Sequence, residues 1–259
     1  MKNTPLVSIL ITAYNSEKYI RKTIESVKKQ SYKNWELIII NDCSTDSTFS
    51  ILKAYTSNKI KIINLKRNVG PYLALSKNFK FCYGKYIAFL DSDDVMHPKR
   101  LHSQIEELEK NKKIGLVATW FRIIDYKGRV IKLAKFPTKE NEFNNIFPCQ
   151  NLICNSSVMF RKKLIRKLGF YNKYFFYSND YHFYLKLFSQ YKIKIIDKFY
   201  TDYRIHNEQR TKSSKIKKII FEENLANLKW AKKNNLINKY NKILYYKNYF
   251  KNFFKFLLT

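Results

Sequence analysis

YIAFLDSDDVMHP, residues 86–98, is the stretch on which the fold turns. Tyr86 to Leu90 is an apolar run of strand length, and Asp91, Asp93 and Asp94 follow it at once. The chain has 259 residues, with 50 Lys and Arg against 20 Asp and Glu. Three carboxylates at the end of one strand are therefore a concentrated use of a scarce residue type. Pro98 then stands at an expected first helical turn, ahead of KRLHSQIEELEKN.

The same order, apolar strand then polar loop then helix, recurs on the N-terminal side. LVSILITAY is a strand, and SEKYIRKTIESVKKQ is a helix with Ser16 as N-cap and Ile20, Ile24 and Val27 on one face. WELIIIND and KIKIINL are further strands, followed by the helical stretches STDSTFSILKAYTS and GPYLALSKNFKFCYG in the order strand, helix, strand, helix. Near-continuous apolar strands alternating with helices predict an α/β fold whose mostly parallel sheet is flanked by helices. Ligands bind such sheets at the carboxyl ends of the strands. That puts residues 13–15, 41–44, 68–70 and 91–94 along one edge.

On the C-terminal side IGLVATWFRIID and RVIKLAKFP pair as a hairpin about Lys127 and Gly128. NLICNSSVMFRKKLIRKLG reads as strand then helix, SNDYHFYLKLFSQ as a helix with Asp180 near its start, and IKIIDKFYTDYRIH as a strand. From about residue 213 the pattern is helical and lysine-rich, with Ile216, Ile219, Ile220 and Leu228 as a core face, ending in aromatic NYFKNFFKFLL.

Composition narrows the function classes. Apolar residues make up 45% of the chain, enough for a sizeable core. Cys43, Cys82, Cys149 and Cys154 form no CxxC pair, which favours free thiols in a reducing compartment and a cytoplasmic protein. No apolar run approaches the ~20 residues that span a bilayer, and KNTPLVSILITAYN reads as a first strand rather than a signal peptide. The formal charge of +30 is spread along the chain without a nucleic-acid-binding motif. It favours anionic lipid or a phosphate-bearing substrate over nucleic acid.

Two carboxylates one residue apart on a loop leaving a strand can share one Mg²⁺ or Mn²⁺ whose coordination phosphate and water complete. A solvated turn with helix capping is the other reading of the same residues. The segments VSILITAYN, ELIIINDCSTDST, RNVGPYLALSKN, YIAFLDSDDVMHP, NDYHFYLKL and YRIH, in that order, together resemble the motif series of the family 2 glycosyltransferases. The resemblance covers roughly residues 6–210. It implies a GT-A fold over 1–212, with a nucleotide-sugar half to about 97 and an acceptor half from 98, then a helical basic and aromatic extension over 213–259.

The resemblance also implies roles. Ala13, Tyr14 and Asn15 lie near the nucleoside and Asp42 on the base, where a carboxylate accepting a uracil N3–H suits a UDP donor; helix capping is the other role open to Asp42. Asn68, Gly70 and Lys77 match the donor-side N-x-G region, and Ser92 sits beside the donor. Asp91 and Asp93 occupy the D-x-D positions and hold Mn²⁺ or Mg²⁺, with Asp94 as a support. Asp180 is the implied catalytic base of an inverting transfer. His206 is a further metal ligand, and Arg204 supports it or the diphosphate. The acceptor is then a glycan or lipid-linked glycan of cell-surface polysaccharide or lipooligosaccharide synthesis.

Four positions depart from the family pattern: Thr12 stands for a proline, Asn41 for an acid, Cys43 for a glycine, and Asn179 for a glutamate. If that glycine takes positive φ, Cys43 must find another turn or tolerate strain. A nucleotidyltransferase is a second reading, weakened because TAYNSEKYIRKT has no glycine for a phosphate loop. A non-catalytic sugar-binding protein is a third. The C-terminal helices either pack on the domain or make a peripheral contact with the inner face of the membrane.

Overall fold

The structure, a computed structural model, describes residues 4–170, 172–209 and 214–258, without the side chains of 214, 215 and 256–258. The expected boundary at 212/213 lies outside the described residues. Four parallel strands form one half of the sheet: β1 (Val7–Ala13), β2 (Trp35–Asn41), β3 (Ile60–Asn64) and β4 (Tyr86–Phe89), in the order β3-β2-β1-β4. Because side chains alternate along a strand, Ile9, Ile11, Ile39 and Ala88 face α1 (Ile20–Lys28) and α4 (Arg100–Lys110), while Leu10, Ile38, Ile40 and Phe89 pack on the other side. All are buried, each large side chain contributing about 1.5–3 kcal/mol.

Register brings the loops together. Ala13 pairs with Asn41, Asn41 with Asn64, and Leu10 with Phe89, so these strands end along one edge. Between them lie α2 (Thr48–Lys53) and α3 (Pro71–Asn78). Helix α1 begins at Ile20, later than the sequence predicts. Ser16 does not cap it through its side chain: the hydroxyl lies 3.2 Å from the Tyr14 carbonyl and 2.7 Å from the Ser92 hydroxyl. Its carbonyl accepts the Tyr19 and Ile20 N–H groups instead.

Beyond β4 the sheet becomes mixed. β8 (Met159–Arg161) runs antiparallel to both β4 and β6 (Ile114–Ile124), and β9 (Lys192–Arg204) lies parallel to β6. β5 (Val95–Met96) closes the edge on β9, and β7 (Val130–Ala134) makes the expected hairpin with β6. The helices of this half are α5 (Glu140–Ile146), α6 (Lys163–Leu168) and α7 (Asn179–Phe188).

Two helices close the described chain, α8 (Ser214–Lys233) and α9 (Lys242–Leu258). The buried face of α8 is Glu223, Leu225, Asn227, Leu228 and Ala231, whereas Ile219 is exposed and Ile216 and Ile220 are only half-buried. The face shifts because α8 meets α7 and the turn at Phe147–Cys149, where polar partners await Glu223 and Asn227. Among the described residues no helix is long and apolar enough to cross a membrane.

Candidate active site

The ends of β1 and β2 are built from strained, cross-linked backbone. Asn15 and Cys43 both have positive φ, 48° and 62°. Asn tolerates that region and Cys does so at a cost of about 1 kcal/mol, so Cys43 keeps a glycine-like turn. The Asn15 side-chain carbonyl accepts the Thr45 N–H at 2.9 Å, while its own N–H donates to Ser44 Oγ at 3.0 Å. Asp42 is buried, and its two carboxylate oxygens accept the Val69 and Gly70 N–H groups at 2.9 and 2.8 Å. It thereby pins the loop entering α3, where Gly70 holds φ 82°.

The acidic loop is held from three sides. The Asp91 N–H donates to Ser156 Oγ and its carboxylate accepts from Asn155, each at 2.9 Å. Burial first, then the neighbouring Asp93 charge, push the Asp91 carboxyl up to about 6. Asp93 Oδ2 lies 2.9 Å from His206 Nε2, and His206 Nδ1 is buried with no partner among the described residues. Asp94 is fully buried, accepts the Arg204 N–H at 2.8 Å, and is pushed well above the usual carboxylate range by burial and then by Asp93. It ties the acidic loop to the end of β9.

Arg204 is turned into the protein rather than toward the cleft. Its Nε donates to the Asp93 carbonyl at 2.8 Å and its guanidinium lies 4.8 Å from the Tyr19 ring centre. It supports the main chain of the acidic loop, and the expected diphosphate contact is not what its position offers. Asn68 and Lys77 are exposed, and neither they nor Gly70 line the cleft.

Asp180 stands at the second position of α7, across a cleft of about 620 Å³ from the acidic loop. The cleft also takes in Ala13, Tyr14, Asn15, Asp42, Asp91, Ser92, Asp93 and His206. Asp180 Oδ1 accepts the Tyr181 N–H at 2.7 Å, and the Tyr72 hydroxyl reaches the same carboxyl. Burial first, and the Asp91 charge with it, raise this carboxyl to about 6. A carboxyl raised toward neutrality thus shares one cleft with a pair of acids, an arrangement that can take up a proton at Asp180 and can hold a cation at Asp91 and Asp93.

Several lining residues were not foreseen. Lys18 at the rim pairs with Glu208, and Asn155, Tyr72, Phe121, Tyr177 and Tyr203 complete the wall. Asn155 belongs to an irregular turn with no periodic signal, and the aromatic residues are indistinguishable in sequence from core residues. Beneath the wall, Glu223 of α8 accepts N–H groups from the loop ahead of α7.

The family model for "Glycosyl transferase family 2" matches residues 8–169. An uncharacterized glycosyltransferase of Methanocaldococcus jannaschii is 33% identical over 242 residues, spanning 90% of this chain and 82% of that one. Two solved structures share the fold. Staphylococcus aureus TarS 1–349 with UDP-GlcNAc has a TM-score of 0.72 at 19% identity, covering 96% of this chain and 73% of that one. The mannosyltransferase PcManGT of Pyrobaculum calidifontis with GDP-Man and Mn²⁺ has a TM-score of 0.70 at 14% identity, covering 99% and 73%.

Proposed function

Because the chain belongs to glycosyl transferase family 2, we propose that it moves a sugar from a nucleotide-diphosphate donor to a hydroxyl of a glycan or lipid-linked glycan, with inversion at the anomeric carbon. One observation carries this: a single cleft gathers the ends of β1 and β2, the Asp91–Asp93 loop, His206 and Asp180. Asp180 takes the acceptor proton as the acceptor oxygen bonds to the anomeric carbon and the nucleoside diphosphate leaves. Cell-surface polysaccharide or lipooligosaccharide synthesis is the process this acceptor class fits.

The residues present fit a divalent cation, Mn²⁺ or Mg²⁺. Among the described residues no three His, Cys, Asp or Glu side chains form a ready cage. Asp93 and His206 do meet at 2.9 Å, and a cation would offset both the burial and, after it, the Asp93 charge that raise the Asp91 carboxyl. Asp93 and His206, with Asp91 beside them, would hold it as part of a coordination shell completed by phosphate and water. A cation so held would neutralise charge on the leaving diphosphate.

Asp42 supports a UDP donor: each carboxylate oxygen accepts one backbone N–H and keeps a lone pair for a uracil N3–H. A screen of nucleotide sugars with Mn²⁺, read by slow donor hydrolysis, is expected to select UDP-sugars. Pyrophosphate release from a nucleoside triphosphate and a sugar phosphate would instead make this a nucleotidyltransferase. If nucleotides with Mn²⁺ gave no thermal stabilisation, a non-catalytic protein would be indicated.

Helix α9 favours a peripheral contact with an anionic membrane surface. Ile243, Phe250 and Phe254 are 84%, 52% and 57% exposed, and with Tyr246 and Phe253 they follow the 3–4 spacing of one helical face. Tyr245 on the other face is buried, and Lys229, Lys232 and Lys233 of α8 lie beside Tyr246 and Phe250. Apolar rings entering the interface beside lysines on lipid headgroups is the expected binding mode. The protein is expected to sediment with phosphatidylglycerol vesicles and not with phosphatidylcholine alone, and Phe250→Ser with Phe254→Ser to abolish it. Absence of sedimentation at low salt overturns the contact.

A further inference from the structure

We infer that α8, which lies beyond the residues matched by the family model, supplies a positioning residue for the transfer: Glu223 sets the place of Asp180 through the loop ahead of α7. The inference rests on Asp180 being the base.

Glu223 is 4% exposed. Its Oε1 accepts the Phe176 N–H at 2.5 Å and the Tyr177 N–H at 3.3 Å, while Oε2 accepts Tyr177 at 3.0 Å and Ser178 at 2.7 Å. Three successive N–H groups thus converge on one buried carboxylate, immediately before Asn179 opens the helix and Asp180 follows. Ser178 makes no side-chain cap bond, so this helix start takes its carboxylate from another helix rather than from its own cap. Hydrogen bonds to an ionised acceptor are among the strongest a loop can have, and they fix its backbone.

The connection reaches the Asp180 carboxyl itself. Tyr177 gives its N–H to Glu223, and its carbonyl accepts the Tyr72 hydroxyl at 2.9 Å. That hydroxyl is the one that reaches Asp180. One turn further along α8, Asn227 Oδ1 lies 3.0 Å from Nδ1 of His182, two residues past Asp180. Glu223 and Asn227 therefore grip the loop and the helix from one face of α8. A displacement of about 1 Å at a reacting group can cost about 100-fold in rate, so the grip bears directly on turnover.

The test compares Glu223→Gln, which keeps the shape and removes half of the acceptor capacity, in wild-type and Asp180→Asn backgrounds. Assays run well below each melting temperature, on the full chain with donor and Mn²⁺. Glu223→Gln is expected to lower kcat by about 10–100-fold and leave donor KM and nucleotide Kd within about twofold, showing no further loss when Asp180 is already Asn. Tyr72→Phe, which removes only the hydroxyl, gives the same non-additive pattern more weakly and serves if Glu223→Gln folds poorly. Wild-type kcat in Glu223→Gln while Asp180→Asn is inactive overturns the inference. An equal loss in both backgrounds also overturns it, because Glu223 would then act elsewhere. Full activity of Asp180→Asn overturns instead the assignment of the base.

Discussion

Asp180→Asn is expected to lower transfer by about 10²–10⁴-fold while nucleotide-sugar affinity stays at its wild-type level. The substitution is close to a pure removal of charge and basicity. Asn keeps an acceptor for the Tyr181 N–H now held at 2.7 Å, and it keeps a group for the Tyr72 hydroxyl. The nucleoside end of the cleft, formed by Tyr14, Asn15 and Asp42, is untouched. The measurement is donor turnover with and without acceptor, beside calorimetric nucleotide binding. Wild-type turnover removes Asp180 from the mechanism.

The same substitution has a stability consequence of opposite sign. Burial and the Asp91 charge raise the Asp180 carboxyl from 3.8 to about 6 in the folded protein. The charged form is thus disfavoured on folding, a cost absent below about 3.8, growing through the interval and complete above about 6. Partial exposure of the side chain moderates it to about 1–2 kcal/mol. Asp180→Asn is accordingly expected to melt higher than wild type at pH 7.5 and level with it near pH 3.5. The wild-type kcat/KM should fall as pH drops through about 6, where the base takes up its proton. A melting temperature below wild type at neutral pH contradicts the cause assigned to the raised carboxyl.

The half of the fold legible in the sequence is the half in which each strand is continuous and apolar. β1, β2 and β4 are buried on both faces, so the strand runs stand out and their carboxyl ends form one edge. The acids could be gathered because the ordered motifs tie Asp91, Asp93, Asp180 and His206 together across more than a hundred residues of chain. The antiparallel half was less legible: β8 is three residues long, too short for periodicity to register. Depth was the other hidden quantity. An arginine buried under the acidic loop and one reaching a diphosphate look alike in sequence, so the motif series leaves Arg204 open to supporting His206 or the diphosphate. Ile216 and Ile219 look like a core face, yet the buried face follows Glu223 and Asn227, whose partners lie some 45 residues back. Only Cys43 gave notice of its strain, through the glycine it replaces.

Arg100→Met is expected to destabilise the protein by about 3–5 kcal/mol and to abolish nucleotide binding in whatever fraction folds. Arg100 is fully buried at the start of α4. Burial lowers its guanidinium to about 10, so it remains charged at neutral pH. The guanidinium donates to the carbonyls of Phe89 at 3.0 Å, Val158 at 2.8 Å and Ser156, with Gln104 Oε1 on its Nε at 3.1 Å. Met replaces the volume but supplies no donor: Val158 keeps the Phe89 N–H at 3.2 Å and Ser156 the Thr201 hydroxyl at 3.4 Å, whereas the Phe89 carbonyl and Gln104 Oε1 lose the hydrogen bonds Arg100 gave them, at about 1–3 kcal/mol each. Lys is not expected to rescue it, because a single ammonium cannot reproduce a planar fork spanning β4 and the turn at Asn155–Ser157. The site is lost together with the fold because that turn is what holds Asp91: Ser156 takes its N–H and Asn155 its carboxylate. Phe89, two residues upstream of Asp91, is held by the same guanidinium. Urea midpoints and nucleotide calorimetry on Arg100→Met and Arg100→Lys provide the check. Either variant unfolding at the wild-type midpoint would show that the carbonyls find water, and that this buried charge does not hold the acidic loop.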